Sequence, residues 1–361
     1  MNSTILASLT LALLCSAPSA PAQQVIIAAN VGATDGVLSI VETTPPWSAT
    51  PAAAKASLNS IVHVFNGKLY VLGRDERTVQ VRALPGLGLL QDFKIPQVLA
   101  PRDLVMVGRR MALISDHDSA HLWWLDTKTG VVSVGQDLSP YSDPDHLPDV
   151  SMMEAVGMRV YVQMQRYDRN TQVDYGSQLA VLAPGFNPNP PVILETVIDL
   201  QGRRPEYRMQ ANAAGNKLWI SAPGVDGDWG GFAATGIEEV DLDAWQSLGF
   251  VITEFQFGAD LGPFVMIDDN KGFAIAHTSI VASTHLRVFD RTVGQIAELH
   301  VSTNGRVETI AYDEAHRQIV YPIPEGGSIA GGVLFFDADT HLQLSGTIAV
   351  GGNPFDMIVV P

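Results

Sequence analysis

One cysteine, Cys15, is all the thiol chemistry this 361-residue chain carries, and it falls in an N-terminal leader. The remainder therefore has no disulfide, no thiolate zinc site, no covalently attached c-type haem and no cysteine nucleophile. Its stability has to come from burial. Cations are also scarce: 22 Lys and Arg stand against 38 Asp and Glu, a formal charge of −16. So acidic a surface repels phosphate backbones and anionic headgroups, which excludes nucleic acid as a partner and leaves cationic groups or divalent metals. Past residue 22 no apolar run approaches the ~20 residues of a membrane span, and no long stretch has apolar residues at helical spacing. No Gly-x-Ser-x-Gly elbow occurs, which removes an α/β-hydrolase triad. No residue set suits a quinone or a haem, and the nine histidines are scattered.

Residues 1–22 read as a signal peptide. The run from Ile5 to Leu14 is almost wholly apolar, and Ala20-Pro21-Ala22 gives a small-x-small cleavage pattern before Gln23. This predicts an exported protein, periplasmic or extracellular, cut before Gln23 and forming one domain over 23–361. Lipid anchoring through Cys15 is disfavoured, because Leu14 stands where such a site needs a small residue.

What remains is built of short β-branched and apolar runs, with 32 Gly and 22 Pro between them. One run recurs as VIIAA from Val25, KLYVL from Lys68, RMALI from Arg110, RVYVQ from Arg159, KLWIS from Lys217, GFAIA from Gly272 and RQIVY from Arg317. The spacings are 42 to 58 residues, the range of propeller blades with variable loops. Each unit reads as a loop, an opening strand, this second strand, a turn and a third strand. The third strand often ends in an aspartate that can stop it, as at Asp126, Asp290 and Asp337. The first unit, VIIAANVGA and DGVLSIVE from Val25 to Glu42, lacks its opening strand. The last eleven residues, Gly351 to Pro361, look like an opening strand with no unit to follow. Joining them predicts an all-β, seven-bladed β-propeller closed by its C-terminal strand, with no unpaired sheet ends.

The tail, Gly352-Asn353-Pro354-Phe355-Asp356-Met357-Ile358, resembles the Gly-x-x-Pro-x-x-Ile opening of YVTN-type surface and periplasmic propellers. These are related in fold to the quinoprotein amine dehydrogenase β-subunit. Leu122 to Gly130 is similar to that group's Leu-x-x-x-Asp-x-x-Thr-Gly third strand. Other units depart from the pattern, with Glu206 after Pro205 and no proline before Val307. The resemblance implies the fold and leaves the activity open, since the group mixes binding proteins and enzyme subunits.

In a propeller, the loops leading into opening strands and those between second and third strands share one face around the central channel, where a ligand would sit. The latter loops bring Asp116, His117 and Asp118, then Arg166 and Asp168, then Asp226, Asp228 and Trp229, then His277. The lead-in loops bring Arg102, Arg204, Glu206, Tyr207, Arg208 and Asn353. Carboxylates from different blades, Asp116, Asp168 and Asp228, are the candidate ligands of a divalent cation such as Ca2+. Strand alternation, however, points Asp116 and Asp118 away from His117. A second acidic loop, Tyr141 to Asp149, carries Asp143, Asp145 and Asp149 but lacks the glycine and glutamate of an EF-hand. The glycine-rich segment from Val225 to Gly236 has no phosphate-loop lysine and reads as a surface loop offering Trp229 and Phe232.

Two functions of different class stay open. One is a monomeric binding or scaffold module that recognises another protein or an extracellular macromolecule through the charged loop face. The other is a metal-dependent hydrolase of the lactonase kind, which needs three or four ligands from different blades converging on the channel.

Overall fold

The computed structural model describes residues 23–184, 192–224, 234–278, 283–303, 305–326 and 330–360. These form seven four-stranded antiparallel sheets arranged as the blades of a ring. Blade 1 joins the two ends of the chain, in the order Ala49–Ala56, Asp35–Glu42, Gln24–Val31 and, innermost, Asn353–Val360. Across this closure Ile26 faces Ile358 and Ile27 faces Met357, as the sequence predicts.

The other blades start with inner strands Ser60–Phe65 (blade 2), Pro101–Met106 (3), Val150–Val156 (4), Gln210–Ala211 (5), Asp260–Met266 (6) and Ala311–Asp313 (7). Each runs outward through three further strands. Blade 4 carries an additional small hairpin, Tyr167–Asp168 with Val173–Asp174. One turn of helix, Glu254–Phe257, leads into blade 6 and is closed by a capping box between Thr253 and Gln256.

The middle strands are covered on both faces by neighbouring blades, so their sequences are continuously apolar instead of alternating. Lys68–Gly73 is buried from Leu69 onward, and Gln318–Ile323 throughout. The core is accordingly divided among the blade interfaces. Seven apolar clusters fill them, such as Tyr70, Leu72, Leu104 and Ile114 between blades 2 and 3, or Tyr161, Leu179, Leu218 and Ile220 between blades 4 and 5. At the seam between blades 7 and 1 the packing is tight enough to require glycine, since a Cβ on Gly331 would lie 2.0 Å from the Gly352 carbonyl oxygen.

One sequence expectation needs correction: a blade has four strands, not three. The fourth strands, such as Gly88–Lys94 and Val132–Asp137, lie on the rim and are largely exposed, with no apolar run to reveal them.

Removing residues 353–361 strips blade 1 of its inner strand and uncovers Ile26 and Ile27, both fully buried, along with the places of Met357 and Val360. Burying one such side chain is worth about 1.5–3 kcal/mol. The truncated chain is expected to melt at least about 10 °C lower, or to lose a single cooperative transition, in differential scanning calorimetry. An unchanged melting curve would contradict closure through this strand.

Candidate functional site

The inner strands end in a cavity of ≈ 300 Å³ at one mouth of the channel. Loops between second and third strands contribute Arg74 (blade 2), Gln165 and Tyr167 (blade 4) and Gly224 (blade 5). Lead-in segments contribute the run Arg204, Glu206, Tyr207 and Arg208, and Glu308, while the inner strands add Ile61, Arg102, Ser151, Met152, Phe355 and Asp356, so that Arg102 stands in the strand Pro101–Met106 and not in the loop before it. The two classes of loop therefore meet here, as the propeller topology requires.

Four guanidiniums face a cavity in a chain of net charge −16, and they are held differently. Arg208 is bound to its surroundings: it donates to both oxygens of Asp356, through Nε at 3.0 Å, and to the Val62 carbonyl at 2.7 Å. Arg204 stacks on the Tyr167 ring, 3.2 Å from its centroid. Arg74 lies over Phe355, 5.7 Å from the ring centre. Neither Arg74 nor Arg102 has a hydrogen-bonded or ion-paired acceptor among the described residues. Burial pulls both below the ordinary arginine range; for Arg74 the nearby Arg102 adds to this, and for Arg102 the nearby Glu206 opposes it. At neutral pH both stay charged, so the cavity presents two unsatisfied cations. Opposite them, Tyr207 accepts a hydrogen bond from Arg306 at 2.8 Å. Burial, and then Glu308 and Glu206, push its hydroxyl well above the usual range, so it remains a donor.

Of the residues read from sequence, Arg102, Arg204, Glu206, Tyr207 and Arg208 line this cavity. Asp116 is buried and anchors its own loop: its oxygens accept from the backbone N–H of Leu99, Ala100 and Asp118 and from the Trp123 indole, at 2.8–3.2 Å. Asp168 closes a turn by accepting from Asn170 N, Thr171 N and the Thr171 hydroxyl. These two do not join a third ligand among the described residues, and Asp226, Asp228 and Trp229 lie outside those residues. Of the candidate metal set Asp116, Asp168 and Asp228, the two described members are each held within their own loops.

Asp118 pairs with Arg169 at 2.6 Å. His117 donates from Nδ1 to the Val150 carbonyl at 3.3 Å, and burial, reinforced by Arg102 and Arg169, pushes its pKa down to about 3, so it stays a neutral imidazole. Arg166 binds the carbonyls of Tyr175 and Gly176, and Asn353 accepts from Glu325 N. His277 is buried within Lys271–Thr278, in the strand and not in a loop. The carboxylates that do converge are Asp143, Asp145 and Asp149, with oxygens within 4.8 Å of one another, a spacing that can hold a metal ion.

Sequence reading passed over Arg74, Gln165, Glu308, Phe355 and Asp356. Arg74 directly follows the strand Lys68–Gly73, so its position at the strand's end was the available signal.

Below the cavity, Glu154 on the inner strand of blade 4 has Arg208 and Asp103 as its charged neighbours. It is partly buried, and burial pushes its carboxyl from 4.5 up to about 8. The folded chain then holds this proton more tightly than the unfolded chain. The resulting stability is complete below about pH 4.5 and is lost as pH rises through about 8. Melting temperature should therefore fall between about pH 5 and 8.5, and Glu154→Gln should flatten that slope. A slope that survives in the variant would assign it to another group.

No protein-family model matches the chain, and neither does any curated protein sequence. Solved structures do. A putative 6-phosphogluconolactonase from Bacteroides fragilis aligns with TM-score 0.63 at 11% identity, over 96% of this chain and 99% of that one. The periplasmic gluconolactonase of Pseudomonas aeruginosa gives 0.63 at 11%, over 94% and 99%. A protein from Lactobacillus plantarum gives 0.65 at 9%, over 94% and 100%. At such identities the likeness establishes the propeller fold and nothing finer. Among the described residues no helix is long and apolar enough to cross a membrane.

Proposed function

We propose that this chain is an exported binding propeller whose channel-mouth cavity takes a small anion bearing a carboxylate or phosphate, of the size of a sugar acid. The observation that carries this reading is the pair Arg74 and Arg102, charged, half-buried and without an acceptor among the described residues, in a chain otherwise dominated by acids. Guanidiniums left unsatisfied at a concave site are suited to bidentate recognition of an oxyanion. Tyr207, Gln165 and Ser151 add neutral hydrogen-bonding groups, while Phe355 and Met152 offer apolar contact. The anion could be free or displayed by an extracellular macromolecule at the mouth. Export rests on the leader at 1–22, with the domain spanning 23–361, and the Gly-x-x-Pro-x-x-Ile tail supports kinship with YVTN-type propellers.

A second reading, lactone hydrolysis, draws on Glu206 and Glu308, which place carboxylates beside the arginines where one could activate water. Two structures of the same fold are named for gluconolactonases. A metal-dependent form would require ligands at the mouth, where the described residues supply no group of three.

Isothermal titration calorimetry with gluconate, 6-phosphogluconate and galacturonate tests the binding reading. Saturable binding that weakens with salt is expected. Arg102→Gln and Arg74→Gln should each reduce affinity about tenfold, ~1.4 kcal/mol. Absence of binding to all three anions, or undiminished binding by the double variant, would refute it. Ring opening of glucono-δ-lactone above the uncatalysed rate, abolished by Glu206→Gln or Glu308→Gln, would move the assignment to the hydrolase.

A further inference from the structure

We infer that the connection between blades 3 and 4 is a binding site for one hard divalent cation of the calcium class, held by the carboxylates of Asp143, Asp145 and Asp149. None of the three lines the channel-mouth cavity, so this site stands apart from the ligand reading above.

Geometry comes first. One oxygen from each carboxylate lies within 4.8 Å of the others, a separation that an ion 2.3–2.6 Å from each can bridge. Acidic loops reach such spacing without binding anything, and a second observation separates this one from them. Asp143 is only 5% exposed, yet its Oδ2 has no hydrogen-bond partner, while its Oδ1 accepts from Asp145 N at 2.9 Å. A buried carboxylate oxygen stripped of water and left without a donor is costly unless a positive charge occupies its open side.

The protein's own cations do not fill that role. Arg169 is the one guanidinium hydrogen-bonded within the cluster, and it is divided: it donates to Asp149 Oδ1 from Nε at 3.0 Å and reaches away to Asp118 Oδ1 at 2.6 Å and the His117 carbonyl at 2.7 Å. No side-chain donor reaches the open oxygen of Asp143. The three donors are all carboxylate oxygens, with no imidazole or thiolate among them, which selects a hard ion over zinc or copper. Three carboxylates in a loop, with water completing six to eight positions, suit calcium better than magnesium, which demands rigid octahedral geometry.

A bound cation would also act on its surroundings. Asp145 Oδ2 accepts from Arg169 N at 3.2 Å, and Asp149 Oδ2 accepts from Tyr167 N at 2.9 Å. Asp145 and Asp149 thus hold the small hairpin of blade 4, and Arg169 ties that hairpin to the Asp116 to His121 loop of blade 3. Fixing the carboxylates fixes both loops, whose Arg169, Asp118 and Asp149 are charged neighbours of Arg102.

The test uses the full chain stripped with EDTA and calcium chloride as the probe. Calorimetry should show one saturable site with Kd of about 0.1–1 mM, and the melting temperature should rise by several degrees at about 10 mM calcium. Asp143→Asn should abolish both effects, while Asp243→Asn, on an exposed turn elsewhere, should preserve them. If Asp143→Asn does not fold, Asp145→Asn, a less buried position, carries the same expectation. The proposal fails if calcium, magnesium and manganese all give neither heat nor thermal shift. It fails equally if Asp143→Asn binds like the wild type, or if that variant raises the melting temperature of a protein indifferent to calcium, which would mean that the carboxylates share a proton instead.

Discussion

The Asp356 carboxylate sits buried on the strand that closes the ring and accepts hydrogen bonds from three other blades. Val62 N of blade 2 donates at 2.8 Å, Arg208 at the start of blade 5 donates through two nitrogens, and the Thr309 hydroxyl before blade 7 lies 3.5 Å away. Arg208 in turn holds the Val62 carbonyl. A carboxylate in that position is tolerable only while its partners are present, and breaking a buried pair from one side costs about 3–5 kcal/mol, with the lower end fitting an arginine that partly faces a cavity. The C-terminal strand therefore does more than complete a sheet. It brings the acceptor that holds blades from opposite sides of the channel in register, so the placement of the arginine floor beneath the cavity depends on ring closure.

The same device recurs around the channel in weaker form. Asp103 of blade 3 accepts from His63 of blade 2 at 2.6 Å and from Met153 N of blade 4 at 2.8 Å. Gln163 and Ser151 of blade 4 bind the Tyr207 and Pro205 carbonyls leading into blade 5, and Gln210 of blade 5 brackets both backbone groups of Met266 in blade 6. Inner strands have their edges turned to the channel, so they leave backbone groups that no further strand can satisfy. Polar side chains from the next blade do so instead. Apolar contacts set how blades stack, and these bonds set where each stops along the axis.

This division explains what could be read from the sequence. The middle strands are enclosed on both faces, so KLYVL, RVYVQ and KLWIS stand out as apolar runs and their spacing counts the blades. The fourth strands see solvent, and GLLQDFK at Gly88–Lys94 looks like any amphipathic loop. The closing strand was legible because Met357, Ile358, Val359 and Val360 have no other sheet to join. At the site the outcome depended on what each acid binds. Asp116 and Asp168 had the right residue type in the right loops, but a carboxylate beside free backbone N–H groups is captured locally before it can reach across blades. Glu206, with Arg204, Tyr207 and Arg208, was found because the segment leading into blade 5 opens onto the channel, and Arg102 because it stands at the start of an inner strand. Asp356 was hidden inside an apolar strand pattern, where its partners, 148 and 294 residues away in sequence, leave no trace.

The sign of the charge at the mouth runs against that of the molecule as a whole. A surface of net −16 lowers the local concentration of polyanions and slows their approach, with a reach set by a Debye length of about 8 Å at physiological salt. Inside the cavity the sources of potential are nearer: Arg74, Arg102, Arg204 and Arg208 line a space of ≈ 300 Å³, and low-dielectric walls screen them less than water would. A small anion that enters meets guanidiniums at contact distance, whereas a large polyanion has most of its charge left outside against the acidic exterior. On the binding reading proposed above, selection by size follows from electrostatics together with shape.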